Sequence, residues 1–128
     1  MGEKTHLSFY LAYNTFRVFT DAVRHVGCPG YVRFLINPDD LRMAMEAYDK
    51  KGLTSFKVPG KLFSDTKGTS MRIHSKRFCH LLADKMGWDV TRSYRIPGDI
   101  FPRQQVVIFD LSQAVVLNGS ESGSCPLQ

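Results

Sequence analysis

With 128 residues and a 43% hydrophobic share, the chain has room for one compact domain with its own core, which excludes wholesale disorder. No apolar stretch approaches the roughly 18–20 residues that span a bilayer, and residues 1–6 lack the order of a signal peptide, so no membrane contact is expected. Lysine and arginine outnumber aspartate and glutamate by 17 to 12, and the resulting net charge of +5 suits a polyanionic partner such as nucleic acid.

The first half of the chain predicts four strands and one short helix. The strands are runs of apolar and aromatic residues bounded by turn-forming residues. They cover residues 7–13, 15–19, 31–36 and 41–47. Thr20 is placed to cap a helix over 21–26, and Gly27 to end it. In the fourth strand, apolar residues alternate with Arg42 and Glu46, a pattern typical of a sheet with one solvated face.

The second half predicts a similar order of elements. Residues 50–69 are rich in glycine, proline and charge and form the predicted connector, with 56–58 and 61–63 as short edge strands. The predicted elements after it are a strand over 70–74, a helix over 76–86 between Ser75 and Gly87, a strand over 93–96 broken by Pro97-Gly98, and a buried strand over 106–109. Residues 118–124 are small and polar, so residues 118–128 are predicted to form a flexible tail.

The two halves share a residue pattern. The order apolar, Arg, β-branched, bulky, hydroxyl occurs in both Phe16-Arg17-Val18-Phe19-Thr20 and Met71-Arg72-Ile73-His74-Ser75. Each run then enters a helix that stops at a glycine. We therefore predict an α+β fold of duplicated β-α-β-β units, 7–49 and 70–117, related by a pseudo-twofold in a mixed or antiparallel sheet or small barrel. Both units belong to a single domain over residues 1–117.

Apolar positions within these elements predict the core. The predicted core residues are Val18, Val23, Val26, Phe34, Ile36, Ile73, Phe78, Leu82, Ile108 and Phe109. Trp88, directly after Gly87, is expected to close the end of the second helix against the sheet. The alternative for Trp88 is an aromatic contact to a partner.

The segment Val23-Arg24-His25-Val26-Gly27 resembles, with one residue fewer after the arginine, the apolar-Arg-x-x-apolar-Gly ending that closes the short helix of the swapped-hairpin, AbrB/MazE/SpoVT-like family. The first half also runs strand, short helix, strand, turn, strand, as units of that family do. The chain therefore resembles a tandem, single-chain version of these small DNA-binding β-barrels. Thr15-Phe16 occupies the position of the Gly-Arg pair that opens a unit of the family. Arg17 therefore lies one residue after the position of the family's arginine. The resemblance implies DNA binding, with Arg24 as the best candidate contact.

Basic residues at helix ends and strand edges are the candidate nucleic-acid contacts. They are Arg17, Arg24, Arg72, Lys76 and Arg77. We expect them to form one basic face that contacts phosphate, with the caps Thr20 and Ser75 bringing backbone N–H groups to the same surface. The alternative is that these side chains are solvated and that their stems cover apolar surface.

No catalytic or metal-binding motif accompanies these residues, so we predict no enzyme activity, no metal and no cofactor. Cys79 and His80 are adjacent and diverge around their helix, so they do not form a metal site with His74. Asp39 and Asp40 belong to a predicted turn after Pro38, and no histidine or lysine is placed to act as a base with Asp110. The odd number of cysteines, at unrelated spacings, argues against disulfides and for a cytoplasmic protein.

Three classes of function remain open at this point. The first is a small, non-enzymatic DNA-binding protein of the transcription-regulator type, with duplex DNA as its partner. The second is a protein-interaction module, such as a phage- or mobile-element-encoded inhibitor of a nucleic-acid-handling enzyme. An enzyme of unrecognised type is the third. The pattern does not predict an oligomeric state.

Overall fold

Nine β-strands and two α-helices form the fold in a computed structural model, which describes residues 3–27, 29–37, 39–52, 54–59 and 70–117. In chain order the elements are β1 (Glu3–Tyr10), β2 (Thr15–Phe19), α1 (Thr20–His25), β3 (Tyr31–Asn37), β4 (Arg42–Tyr48), β5 (Ser55–Lys57), β6 (Ser70–His74), α2 (Lys76–Met86), β7 (Ser93–Phe101), β8 (Val106–Asp110) and β9 (Val115–Leu117). Short 3₁₀ helices at Leu11–Tyr13 and Leu111–Gln113 follow β1 and β8. The predicted bounds of β2, β6 and α2 are confirmed.

All the described strands join one antiparallel sheet. The order of the strands is β5-β3-β4-β8-β7-β1-β2-β6. β9 also pairs with β7, along the same edge of β7 as β8 but at the other end of the strand. The sheet is nearly closed and barrel-like, which confirms a small α+β fold built on antiparallel strands. Each half of the chain runs strand, helix, strand, strand, as β2-α1-β3-β4 and β6-α2-β7-β8. Duplication of the two units stays a prediction.

A cluster of phenylalanine rings fills the space inside this sheet. Phe16 on β2 lies near one end of the strand order, whereas Phe34 on β3 and Phe56 on β5 lie at the other end. Nevertheless, the ring centroid of Phe16 is 5.7 Å from that of Phe34 and 5.5 Å from that of Phe56. The sheet therefore curls until its two ends face each other. Phe78 of α2 joins the cluster 5.2 Å from Phe16, so this helix packs into the interior.

Most of the predicted core is buried. The buried members are Val18, Val23, Val26, Phe34, Ile73, Phe78, Leu82 and Phe109. Ile108 is a wrong prediction: Val107 and Phe109 face inward, so alternation along β8 turns Ile108 outward, where it is half-buried. Ile36 points to the same side as Phe34 but is only partly buried, because it lies near the end of β3. Trp88 packs on the core as expected, with its ring stacked 4.8 Å from Tyr94.

The two helices begin differently. Ser75 caps α2 as predicted, since its Oγ accepts a hydrogen bond from the N–H of Phe78 at 3.2 Å, and Gly87 ends the helix at a left-handed φ of 69°. In contrast, α1 begins at Thr20 itself, and Phe19 before it makes no side-chain cap bond. β2 runs directly into α1 without a loop residue to cap it. Thr20 is consequently part of the buried first turn, with 3% of its surface exposed.

Pro97-Gly98 does not break β7, contrary to the sequence expectation. Arg95 is the last residue of β7 paired with β9, and Gly98 is the first paired with β8. Pro97 lies between the residues that pair with β9 and those that pair with β8, so this edge of β7 requires no N–H donor at position 97. Gly98 allows close packing, because a Cβ at that position would lie 2.5 Å from Cδ1 of Phe109.

The segments around the strands also differ in part from expectation. β1 ends at Tyr10, whereas the apolar pattern predicts a strand as far as residue 13. Residues 11–13 turn instead into a 3₁₀ helix, which ends at Asn14 with a left-handed φ of 55°. Within the predicted connector, β5 pairs with β3 as an edge strand. The predicted strand over 61–63 and the predicted tail over 118–128 lie outside the described residues.

Candidate nucleic-acid interface

One row of residues crosses the outer face of four neighbouring strands and contains three arginines. Ser8 on β1 is the partner of Arg95 on β7 and of Arg17 on β2, and Arg17 is in turn the partner of Arg72 on β6. The residues before and after each of these positions are buried or face the core, so alternation turns the row outward. We call Arg95, Ser8, Arg17 and Arg72 the arginine row. With strands about 4.8 Å apart it spans roughly 14 Å.

The arginine row has no carboxylate partner in the part of the chain that the structure describes. Arg17 and Arg72 stand directly opposite each other on paired strands, where like charges repel. The ion pairs between described residues join other groups: Lys4 with Asp99, Arg24 with Asp21, Arg33 with Glu46, and Arg92 with Asp89. Ser8 is only 3% exposed, which we attribute to the long side chains that flank it on both neighbouring strands.

His6 lies beside the arginine row and has a perturbed pKa. Its ring packs on Phe19, with the centroids 4.5 Å apart, on the same outer face as the arginine row. Burial, and after it the positive charge of Arg95, lower the pKa of His6 from its ordinary value of 6.5. His6 therefore stays neutral near pH 7, and the arginines set the charge of this face.

A cleft of about 470 Å³ opens beside the arginine row. It is lined by two aromatic, one hydroxyl and two cationic side chains, which we call the tyrosine cleft: Tyr10, Tyr13, Thr15, Arg17 and Arg72. The guanidinium carbon of Arg17 lies 5.8 Å from the ring centroid of Tyr10, within the range of a cation–π contact. Tyr13 is 74% exposed. The cleft thus presents aromatic faces and positive charge to solvent at one place.

The structure pairs two of the five predicted contacts and places two more beyond the end of β6. Arg17 and Arg72 meet as direct cross-strand partners. Lys76 and Arg77 are exposed in the first turn of α2, which begins two residues after His74, the partner of Thr15 in the tyrosine cleft. They therefore lie at the end of β6 where the cleft opens.

Arg24 lies at the other end of the β2–β6 pair. It belongs to α1, which begins after Phe19, and Phe19 is the partner of Ser70 at the start of β6. One guanidinium nitrogen of Arg24 is 3.9 Å from a carboxylate oxygen of Asp21. Because α1 and α2 begin at opposite ends of these two strands, Thr20 and Ser75 do not lie side by side on one surface.

Sequence reasoning did not select Arg95, Tyr10 or Tyr13. The alternation of residues along β7 does indicate that Arg95 points outward, because its neighbours Tyr94 and Ile96 are both buried. However, Arg95 joins Arg17 only because β1 lies between β7 and β2 in the sheet. That arrangement pairs residues far apart in sequence, and no local pattern predicts it.

A second outer surface is apolar. Leu35, Ala44 and Ile108 align across β3, β4 and β8 and line a cleft of about 570 Å³. Leu35 is 44% exposed. In the next row, Arg33 donates from Nε to Glu46 at 2.6 Å, and this hydrogen bond raises the pKa of Arg33. Arg33 on this surface thus has a carboxylate partner, unlike the arginines of the arginine row.

The residues considered for metal binding or catalysis have other surroundings. Cys79 is fully buried, and burial raises the pKa of its thiol to about 11, so it stays protonated. Asp40 and Asp110 accept hydrogen bonds from the N–H groups of Arg42 and Ser112 two residues later, as turn residues do. In the described ranges, no three histidine, cysteine or acidic side chains cluster in a way that could hold a metal ion.

No family model, curated protein or solved structure matches this chain. The comparisons therefore do not identify a member of the AbrB/MazE/SpoVT-like family, and that resemblance stays a prediction. No helix among the described residues is long and apolar enough to cross a membrane. The candidate function consequently rests on the arginine row and the tyrosine cleft.

Proposed function

We propose that this protein binds nucleic acid, without catalysing a reaction on it, through the outer face of β7, β1, β2 and β6. In this proposal the arginine row contacts the phosphate backbone, and Lys76 and Arg77 extend the contact beyond β6. The sequence predicts a DNA-binding protein of the transcription-regulator type, and the proposed function belongs to the same class of non-enzymatic nucleic-acid-binding proteins.

The observation that carries the proposal is the pair Arg17 and Arg72. Two guanidinium groups directly opposite each other cost stability in the free protein, and no described carboxylate offsets their charge. A phosphate placed between them supplies the missing negative charge and accepts hydrogen bonds from both, because guanidinium groups match phosphate oxygens in geometry. Arg95 provides a further contact two strands away on the same row.

The strand pairings support a related proposal, that the two units are duplicates about a pseudo-twofold axis through the Arg17–Arg72 pair. β2 pairs with its counterpart β6, and β4 with its counterpart β8. The pairing of β1 with β7 is matched by that of β5 with β3. Superposition of β2-α1-β3-β4 on β6-α2-β7-β8 in an experimental structure tests this, and unrelated paths of the two segments would contradict it.

The binding proposal is tested by fluorescence polarisation with labelled single- and double-stranded oligonucleotides of mixed sequence. Arg17→Ala and Arg72→Ala should each weaken binding by a similar factor for all sequences and lower the salt slope by about one unit. Arg103→Ala is the matched control, because Arg103 is exposed in the turn between β7 and β8, away from the row. Binding by both variants at wild-type affinity would exclude the arginine row as the contact.

A second candidate function is recognition of a protein, favoured by the apolar line of Leu35, Ala44 and Ile108, in which Leu35 is exposed. The partner expected from the sequence is a nucleic-acid-handling enzyme that this protein inhibits. Leu35→Asp should abolish such an interaction and leave nucleic-acid binding unchanged, since Leu35 lies on a different part of the sheet. Inhibition of a polymerase or nuclease that persists in Leu35→Asp would rule this surface out.

A further inference from the structure

We infer that the tyrosine cleft holds an unpaired base, so that the preferred ligand is a single-stranded nucleic acid rather than a duplex. This inference rests on the proposed function, because it concerns the same face and the same arginines. It adds a role for Tyr10 and Tyr13, which phosphate contact alone does not require.

The shape of the surface favours a single strand. The tyrosine cleft, at about 470 Å³, has the size of pockets that take small ligands, which run from about 300 to 1,000 Å³. A duplex keeps its bases stacked inside and is read in the major groove by a projecting helix or a β-ribbon. The arginine row lies instead on a sheet face, and its neighbouring cleft is open to a base that has left the stack.

The chemistry of the lining also fits an unpaired nucleotide. Proteins that bind single strands combine a positive surface for the backbone with aromatic rings on which bases stack. Tyr13 offers an exposed ring, and Arg17 and Arg72 stand in the same cleft to hold the adjacent phosphate. Tyr10, beside Arg17, supplies a second aromatic surface.

The segment that carries Tyr13 is held in place from both sides. The N–H of Leu11 donates to the carbonyl of Arg92 at 3.3 Å, and Leu11 itself is buried. The carbonyl of Asn14 accepts a hydrogen bond from the N–H of Ser75 at 2.9 Å. Tyr13 is therefore an exposed aromatic ring on an anchored turn, which lowers the entropy lost when a base stacks on it.

The test compares a mixed-sequence single strand, its duplex, and a single strand of abasic sites, each as DNA, with the RNA single strand as a fourth probe. Wild-type protein should bind the single strands more tightly than the duplex or the abasic strand. Tyr13→Ala should weaken binding of the single strands by about 5- to 150-fold, the loss of one stacked base, with little effect on the other two probes. Tyr13→Phe, which keeps the ring, should bind as wild type does.

Phe101→Ala is the control, because Phe101 is an exposed aromatic residue at the far end of β7 and should not affect binding. RNA and DNA single strands differ in the 2′-hydroxyl, so a tighter binding of one of them tells whether the ligand is RNA or DNA. Either preference supports the inference. An equal loss on all probes in Tyr13→Ala, or no loss on any, overturns it. If Arg17→Ala still weakens binding in that case, the proposed function stands without the stacked base, whereas absence of binding to every probe contradicts the proposed function itself.

Discussion

Gly98→Ala should destabilise the protein although it adds a single methyl group. Gly98 lies on β7 directly opposite Phe109 on β8. A Cβ at Gly98 would be 2.5 Å from Cδ1 and 2.8 Å from Cε1 of that ring, and 3.2 Å from the carbonyl oxygen of Ile108. The ring of Phe109 has no exposed surface, so it has no free space into which to move.

The expected loss follows from two opposing effects. Replacing glycine by alanine restricts the unfolded chain and, without a clash, stabilises a protein by about 0.4–1 kcal/mol. Forcing an additional carbon into a packed core costs about 1–3 kcal/mol. Two contacts under 3.0 Å with a fixed ring place Gly98→Ala near the upper part of that range, so we expect the free energy of unfolding to fall by about 2 kcal/mol.

Urea denaturation followed by circular dichroism measures this difference. Gly30→Ala is the matched control, because a Cβ at Gly30 meets nothing within 4 Å, and it should be neutral or slightly stabilising. Phe109→Ala alone should cost about 3–5 kcal/mol, and adding Gly98→Ala to it should cost little more, because the ring is gone. If Gly98→Ala is as stable as wild type, the close contact between β7 and β8 is wrong.

Three further predictions concern helix ends and pH. Ser75→Ala should lower the free energy of unfolding by about 1 kcal/mol, because the N–H of Phe78 loses its acceptor, and Ser75→Asp should restore it. Gly87→Ala should cost about 1–2 kcal/mol in thermal denaturation, because an alanine is strained at a φ of 69° even though a Cβ there meets no atom within 4 Å. The pKa of His6 is lower in the folded than in the unfolded protein, so its stabilising contribution is present above the unfolded value of 6.5 and is lost as the pH falls through the folded pKa. The stability lost between pH 7.5 and 5 should consequently be smaller in His6→Gln than in wild type, and an equal loss would contradict the lowered pKa.

Local signals in the sequence were sufficient for elements whose stabilising contacts are local. Ser75, the apolar positions of α2 and Gly87 lie within one helix, and together they predict its limits. The same applies to β2, which lies between a turn residue and a helix start, and to β6, which ends at a helix start. Pro97-Gly98 resembles a strand break because its local chemistry is that of a turn, whereas its place between β9 and β8 depends on the rest of the sheet.

The candidate site is only partly predictable for the same reason. The repeated pattern around Arg17 and Arg72 singles out both residues, and the sheet places them opposite each other. Arg95 and the tyrosines join them through the pairing of β1 with β7 and with β2, which brings together residues from both halves of the chain. Arg24 has the expected helical position, but the direction of β2 puts it at the other end of the face.

The salt dependence of nucleic-acid binding tests the central claim most directly. The measurement compares Arg17→Ala/Arg72→Ala/Arg95→Ala with Lys57→Ala/Lys85→Ala/Arg103→Ala, which removes the same number of positive charges from exposed positions outside the arginine row. Loss of three phosphate contacts should reduce the slope of log affinity against log salt concentration by about 2–3, since each contact contributes roughly 0.7–0.9, while the control variant keeps nearly the wild-type slope. Equal slopes and affinities for the two variants would contradict an interface at the arginine row and would indicate that binding depends only on the net charge.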